Sequence, residues 1–342
     1  MVKTTASRGD VPHAVRSGRG AARTSAVIAQ LDEIEHNGGD GVLRVSRGRT
    51  LTVSRLDRVV FPEVGCTKGD VMRYYAHVAP FLLPRIKDRP LVLKRSPEGL
   101  SGETFFQQKA PSTVPRTVRV TAIMSESSGM QARIIGGDLA TLLYTIQIGC
   151  ISVDPWHSRV QSLDHADYAI LDLDPGPDAA FAQVVQVARW IKEELDALDL
   201  HAAVKTSGSA GLHIVLPLPA GASYDTAVSL AGGIALSVAR AHPDTATTER
   251  SLKARPDVAV YVDYLQNARG KSLAAAYCVR ARPGATVSTP LDWQELTPTL
   301  SPARYTMATM HDRLATVGDL WGAAMRRRNT TRSVRAAIRR RG

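Results

Sequence analysis

Residues 168–176 read YAILDLDPG. The alternation over Tyr168–Asp174 predicts a half-buried strand, which Pro175-Gly176 closes. Asp172 and Asp174, two apart, share one face of it, opposite Leu171 and Leu173. Downstream, Asp178–Leu198 reads as a helix, with Phe181, Val184, Val185, Ala188, Ile191 and Leu195 on a helical period. Ala202–Thr206 is a short strand, Ser207–Gly211 (SGSAG) a turn, and Leu212–Leu218 the returning strand. Ser223–Ala241 is a second amphipathic helix and Ala259–Tyr264 (AVYVDY) a strand.

The order β-α-β-β-α-β is the split βαβ unit, in which the first and last strands are neighbours and the third flanks the first. The expected fold class is therefore α+β, with a ferredoxin/RRM-like βαββαβ core and an additional N-terminal α/β lobe. A further strand is expected at 274–281, and a short helix opening at Thr289-Pro290. Upstream, Ala26–His36 has helical spacing, and Gly41–Val45 and Thr50–Ser54 resemble strands. Thr67–Ile86 is a helix with Thr67 as N-cap, Asp70 three positions on, and Pro80 as a kink or end. Pro90–Arg95 and Thr104–Lys109 read as strands. Asp138–Gly149 reads as a helix feeding the strand Cys150–Val153. The expected organisation is a basic, largely disordered extension over 1–40 and a domain over 41–325, with its lobe at 41–160 and its core at 161–300. An arginine-rich tail follows over 326–342.

The 342 residues carry a net charge of +11, concentrated at the ends. Residues 1–24 hold five cations against Asp10, and residues 326–342 hold eight arginines and no acid, so the centre is near neutral. Such tails either touch a polyanion or are simply solvated. No apolar run approaches the ~20 residues of a membrane span. The three cysteines (Cys66, Cys150, Cys278) are far apart, which points to a reducing compartment rather than a disulfide or zinc framework.

The chemistry sits in the centre. Paired carboxylates on one strand face repel unless a cation or proton lies between them, and hard divalent ions take such oxygens. The alternative for Asp174 is a local turn bond ahead of Pro175. Asp263 lies on the strand that closes the unit. Asp172, Asp174, Asp263 and His213 then fall on three adjacent strands, the layout for two metals in nucleotidyl transfer. In KTSGSAGLH (205–213), small residues allow a backbone anion nest, Ser207 and Ser209 add hydroxyls, and Lys205 adds charge. A plain flexible hairpin is the alternative. The Gly-Lys-Ser/Thr of a Walker loop is missing.

LDLDPG, KTSGSAGLHIVLPL and VDYLQNARGKSLAAAYCVRARPG resemble the polymerase domain of bacterial DNA ligase D, of the archaeo-eukaryotic primase superfamily. VVFPEVGCTKGDVMRYY, RPLVLKRSPEG and TFFQQK resemble it too, in order, so the likeness covers about 50–325. It implies a primase-polymerase fold in which Asp172, Asp174 and Asp263 hold two divalent ions, manganese or magnesium. Ser207 or Ser209, His213, Lys94, Arg95, Arg280 and Arg282 would contact the nucleotide, the last two sharing one strand face. Phe105 and Phe106 match an aromatic pair that stacks on template or base, one exposed and one in the core. Lys68 matches a lysine for the downstream 5′-phosphate, at a helix start that favours anions. Gln266 and Asn267, within the third motif, join the DNA contacts.

Three departures stand out. Arg58 replaces a second phosphate-binding lysine. Asp154-Pro155-Trp156 stands where many members have His-Pro-Trp. The Lys-x-Asp-Gly of a ligase is missing, so the likeness implies a stand-alone polymerase domain whose ATP-dependent ligase is another chain. The implied activity is addition of NTPs, ribonucleotides preferred, to a DNA 3′-hydroxyl at gaps or broken ends carrying a 5′-phosphate. Non-homologous end joining with Ku is the implied setting, in the cytoplasm at the nucleoid and with no membrane partner. The alternatives are a primase starting chains de novo and a non-catalytic end-binding scaffold. A nucleotide cyclase is more distant.

Overall fold

The computed structural model describes residues 18–125 and 129–341. Helix α1 (Gly18–His36) leads into a hairpin of β1 (Gly41–Ser46) and β2 (Arg49–Val53), then a pair, β3 (Val59–Phe61) and β4 (Cys66–Thr67). Helix α2 (Lys68–Ile86) starts at the expected cap. Thr67 Oγ1 accepts from Asp70 N at 3.1 Å, and the Asp70 carboxylate accepts from Thr67 N at 2.8 Å. The helix continues through Pro80 and Pro84. Next come β5 (Leu91–Arg95), β6 (Phe105–Gln107), the hairpin β7 (Val120–Ser125) and β8 (Gly129–Ile134), and α3 (Leu139–Gln147) capped by Asp138. β9 (Cys150–Pro155) pairs with β5, giving a sheet ordered β6-β5-β9.

The βαββαβ unit follows as β10 (Tyr168–Pro175), α4 (Phe181–Ala197), β11 (Ala203–Thr206), β12 (Leu212–Pro217), α5 (Tyr224–Ala241), a short β13 (Ala246–Thr247) and β14 (Val260–Asp263). With β15 (Pro290–Leu291) these strands form a six-stranded sheet ordered β13-β14-β10-β12-β11-β15. β10 therefore lies between β14 and β12, as expected. Helices α6 (Met307–Val317), α7 (Leu320–Ala324) and α8 (Thr331–Arg341) complete the chain.

The sheet has two unlike faces. Leu171, Leu173, Leu212 and Ile214 are buried in a core with α4 and α5. On the other face, Ile170, Ala203 and Val215 join the N-terminal lobe's core. Two residues further along these same strands, that second face changes to Asp172, Lys205 and His213. The period-2 alternation thus carries one face from core into site.

Four expectations are corrected. The segment at 274–281 is not a strand: Tyr277 takes φ +69° and Cys278 N bonds back to Ala275 O at 3.1 Å, turning the chain. Thr289-Pro290 opens no helix; Pro290–Leu291 pairs with β11, and a short 3-10 turn follows at Trp293–Glu295. The 1–40 extension is largely disordered in expectation, but α1 buries Val27 and Leu31 in the lobe's core; residues 1–17 lie outside the described residues. The 326–342 tail includes α8, whose Val334 and Ala337 are buried with α5, because its apolar residues recur at helical spacing and find a partner face. Among the described residues no helix is long and apolar enough to cross a membrane, and all three cysteines are free.

Candidate active site

Asp172 sits at the centre of the sheet, paired with Asp263 on one side and His213 on the other. Directly paired residues project from the same face, so the three side chains stand together, with Asp174 two residues on. Asp263 is fixed by accepting from Leu265 N at 2.8 Å and from Gln266 Nε2 at 3.0 Å. His213 is buried; its Nδ1 lies 2.5 Å from Lys205 Nζ, which also donates to Ser288 Oγ at 2.6 Å. Burial, with the Arg280 charge nearby, pulls Lys205 down to about 7. Burial and the Lys205 charge hold His213 well below the ordinary imidazole range.

Burial raises Asp172 to about 6. Burial and the charges of Asp172 and Asp263 raise Asp174 to about 7. His213 Nε2 is 3.2 Å from Asp172 Oδ1 but out of hydrogen-bond alignment, and that buried oxygen has no hydrogen-bond partner. Crowded, under-solvated carboxylates with an orphaned oxygen fit a divalent cation. Among the described residues, though, no three His, Cys, Asp or Glu side chains already close around a common metal position.

The Ser207–Gly211 turn differs in detail from an open anion nest. Ser207 Oγ accepts from Ser209 N and Gly211 N, both at 3.1 Å, so Ser207 closes the turn with its own hydroxyl. Ser209 is left half-buried at the rim of a cavity that Arg282, Thr286 and Pro175 also line. Gly208 takes φ +70°, and a Cβ there would stand 2.4 Å from Arg280 Cγ, so the Arg280 stem lies across the turn. Arg280 and Arg282 thus reach the site by an irregular loop rather than by strand parity.

Lys94, Ser152 and Asp154 share one face of the β5–β9 pair, where Ser152 Oγ donates to Asp154 at 2.6 Å. Burial and the nearby charges of Arg280 and Arg282 lower Lys94, which groups it with the nucleotide candidates. Arg95 is corrected. As the next strand residue it faces the other way, bonding Ile148 O at 2.7 Å and Gln107 Oε1 at 2.5 Å. Phe105 and Phe106 are both exposed, at 37% and 64%, because β6 is an edge strand; neither is core. Arg95 lies over the Phe105 ring and Lys94 over Phe106.

Asn267 is also corrected. It is fully buried and bridges the sheet: Oδ1 accepts from Ile170 N at 2.8 Å, while Nδ2 donates to Ile170 O and Tyr264 O. Asn267→Ala should cost about 3 kcal/mol by orphaning buried backbone groups, with DNA affinity unchanged. Urea unfolding and a binding titration check both; weakened DNA binding at unchanged stability would reverse the assignment.

Away from the carboxylates, Lys68 is buried with Nζ donating to Ser54 O at 2.8 Å. Burial, then the Arg58 and Arg55 charges, pull it down to about 8. The α2 start is already capped by Thr67 and Asp70, so anion attraction there rests on side chains rather than helix amides. Sequence reasoning missed Arg55, at φ +52° with its N–H on Asp40, which joins Arg58 and Lys68 in one cationic cluster. It also missed Arg255, over the Tyr261 ring at 3.8 Å and lowering Asp174, and Ser288, which holds Lys205. Only the basic run at 250–255 hinted at Arg255; nothing local marked the other two.

A split-βαβ sheet with an Asp-x-Asp strand between a third aspartate and a Lys-backed histidine places the chain in the class of primase-polymerase folds. The family model described as LigD, primase-polymerase domain, matches residues 67–321, and the chain belongs to that family. It is 32% identical over 269 residues to the bifunctional non-homologous end joining protein LigD of Bacillus subtilis, covering 78% of this chain and 43% of that protein. It is 30% identical to the multifunctional LigD of Pseudomonas aeruginosa, covering 77% and 31%. The chain thus spans less than half the length of these relatives. The polymerase domain from Mycobacterium tuberculosis ligase D, solved in complex with DNA, superposes with a TM-score of 0.74 at 30% identity, covering 82% of this chain and 99% of that one.

Proposed function

We propose that this chain is a DNA-directed nucleotidyltransferase that adds nucleotides, ribonucleotides by preference, to a DNA 3′-hydroxyl at gaps or broken ends. The in-register pairing of Asp172 with Asp263, with Asp174 beside them, supports this most directly. Asp172, Asp174 and Asp263 would hold two divalent ions, manganese or magnesium, which supply hydroxyl acidification and charge stabilisation at the phosphorus. Lys205 and His213, with Arg280, Arg282 and Lys94, orient the triphosphate. Ser207 keeps the turn in shape, and Ser209 offers a hydroxyl at the rim. The Arg55–Arg58–Lys68 cluster takes the downstream 5′-phosphate, and Phe105 and Phe106 offer stacking faces. Gln266 holds Asp263. The proposed setting is non-homologous end joining at the nucleoid, with Ku and a ligase activity as partners.

The test is extension of a recessed, 5′-phosphorylated gapped duplex, comparing NTP with dNTP and manganese with magnesium. Lack of extension under every combination would overturn the enzyme reading, and equal synthesis on an unprimed single strand would favour a primase.

A pH prediction follows from the raised acids. The folded protein holds protons on Asp172 and Asp174 that the unfolded chain releases near 3.8. The contribution of these two acids to the stability of the metal-free protein therefore falls as pH rises from about 4 to about 7, while His213, held neutral by burial, contributes in the opposite direction below the ordinary imidazole range. A divalent ion offsets that loss, so manganese should raise Tm more at pH 7.5 than at pH 5. Thermal melts at both pH values check it; equal shifts would contradict it.

A further inference from the structure

Residues 326–341 carry eight arginines, and α8 gives part of this charge a defined face. Val334 and Ala337 are buried, with Ile338 packed beside them, while Arg332, Arg335 and Arg339 are exposed on the opposite side at successive turns. The helix is anchored at its start, where Asn329 Nδ2 donates to His201 O and Pro217 O. At its end the Arg341 stem lies against Gly233 of α5, and a Cβ on Gly233 would meet Arg341 Cβ at 2.9 Å. Of the arginines from 326 to 341, only Arg328, with Asp167, and Arg341, with Glu194, make ion pairs among the described residues. Arg240, in the last turn of α5, borders the same depression as Arg340 and Arg341. α8 lies beyond residue 321, where the family match ends.

Its position in the fold matters. α8 packs on α5, and α5 covers the Leu171–Leu173 face of the sheet, whereas Asp172 and His213 project from the other. DNA held at the carboxylates is therefore separated from this arginine face by the sheet and a helical layer. From this we propose that α8 is a second duplex-binding surface, which takes a phosphate backbone on the side of the domain opposite the catalytic cleft.

The face is charged and lacks apolar anchors: no large hydrophobic residue from 318 to 341 is exposed. A membrane-surface helix needs its apolar side free for lipid, and here that side is spent on α5. A protein partner needs apolar or aromatic anchors at its centre. Phosphate needs neither, and guanidinium groups match it bidentately. The proposal rests on DNA being this chain's substrate, but it is read by a separate measurement.

The variant R332Q/R335Q/R339Q alters only exposed side chains and should keep the wild-type melting curve. For a blunt duplex without 5′-phosphate, its slope of log K against log salt should be shallower by up to about 2.7, at about 0.9 per lost phosphate contact. The corresponding lysine triple variant should keep the wild-type slope. Protein saturated with a short gapped duplex should capture a second, differently labelled duplex as wild type and lose it in the glutamine variant, with gap extension within about twofold. An unchanged slope and undiminished capture would overturn the proposal. So would a loss confined to anionic vesicles or to an acidic protein. Failure of wild-type extension with capture intact would count against the polymerase reading alone.

Discussion

Asp172→Asn is expected to slow nucleotide addition to a primer 3′-hydroxyl by about three orders of magnitude or more. The side chain sits between Asp263 and His213 in register, and one of its oxygens is buried without a hydrogen-bond partner. The amide is nearly isosteric, so shape is kept while the charge that attracts a cation is lost. DNA affinity should change little, because the cationic and aromatic DNA candidates lie on other strands. Stability adds a second readout. Removing one of three crowded acids relieves Asp174, so metal-free D172N should melt higher than wild type at pH 7.5. A purely structural aspartate would do the reverse. Near-normal single-nucleotide extension by D172N would end the two-metal assignment.

Gly211→Ala should have the next largest effect, smaller than that of Asp172→Asn and for a different reason. A Cβ at Gly211 would stand 2.1 Å from the Leu173 carbonyl oxygen, which is backbone in the neighbouring strand and cannot swing away. β12 must then move off β10 where Asp172 faces His213. Overpacking of this kind costs about 1–3 kcal/mol. A displacement near 1 Å at the reacting groups can cost about a hundredfold in rate. Denaturant unfolding and kcat/KM measured together test this. A variant with both values near wild type would show that the turn tolerates displacement and that its close approach does not position the site.

Several features were legible in sequence because they are local or periodic. The strand read as Tyr168–Asp174, the capping box of Thr67 and Asp70, and the amphipathic helices α4 and α5 follow from side-chain spacing alone. The adjacency of the strands carrying Asp172 and Asp263 was also legible from the split βαβ order, whereas the register that sets the two residues directly opposite each other came from the structure. The failures share a cause: they turn on contacts between distant segments. The extended-looking pattern of 274–281 is broken by a left-handed residue at Tyr277, whose phenol is held by Asp319 at 2.7 Å. Asn267 was expected among the DNA contacts; burial and its bonds to the Ile170 backbone made it a brace. Arg55 became part of a cationic cluster only when a turn brought it beside Lys68.

By itself, the sequence determined the kind and order of the elements and which acids share a strand face, because periods of 2 and 3.6 are properties of the backbone that any reader of spacing can apply. Tertiary structure alone decided which cations meet those acids, whether Ser207 faces a ligand or its own turn, and that the arginine-rich end is a helix docked behind the sheet. Those outcomes depend on burial and on the electrostatics of groups far apart along the chain, and a linear pattern does not specify them.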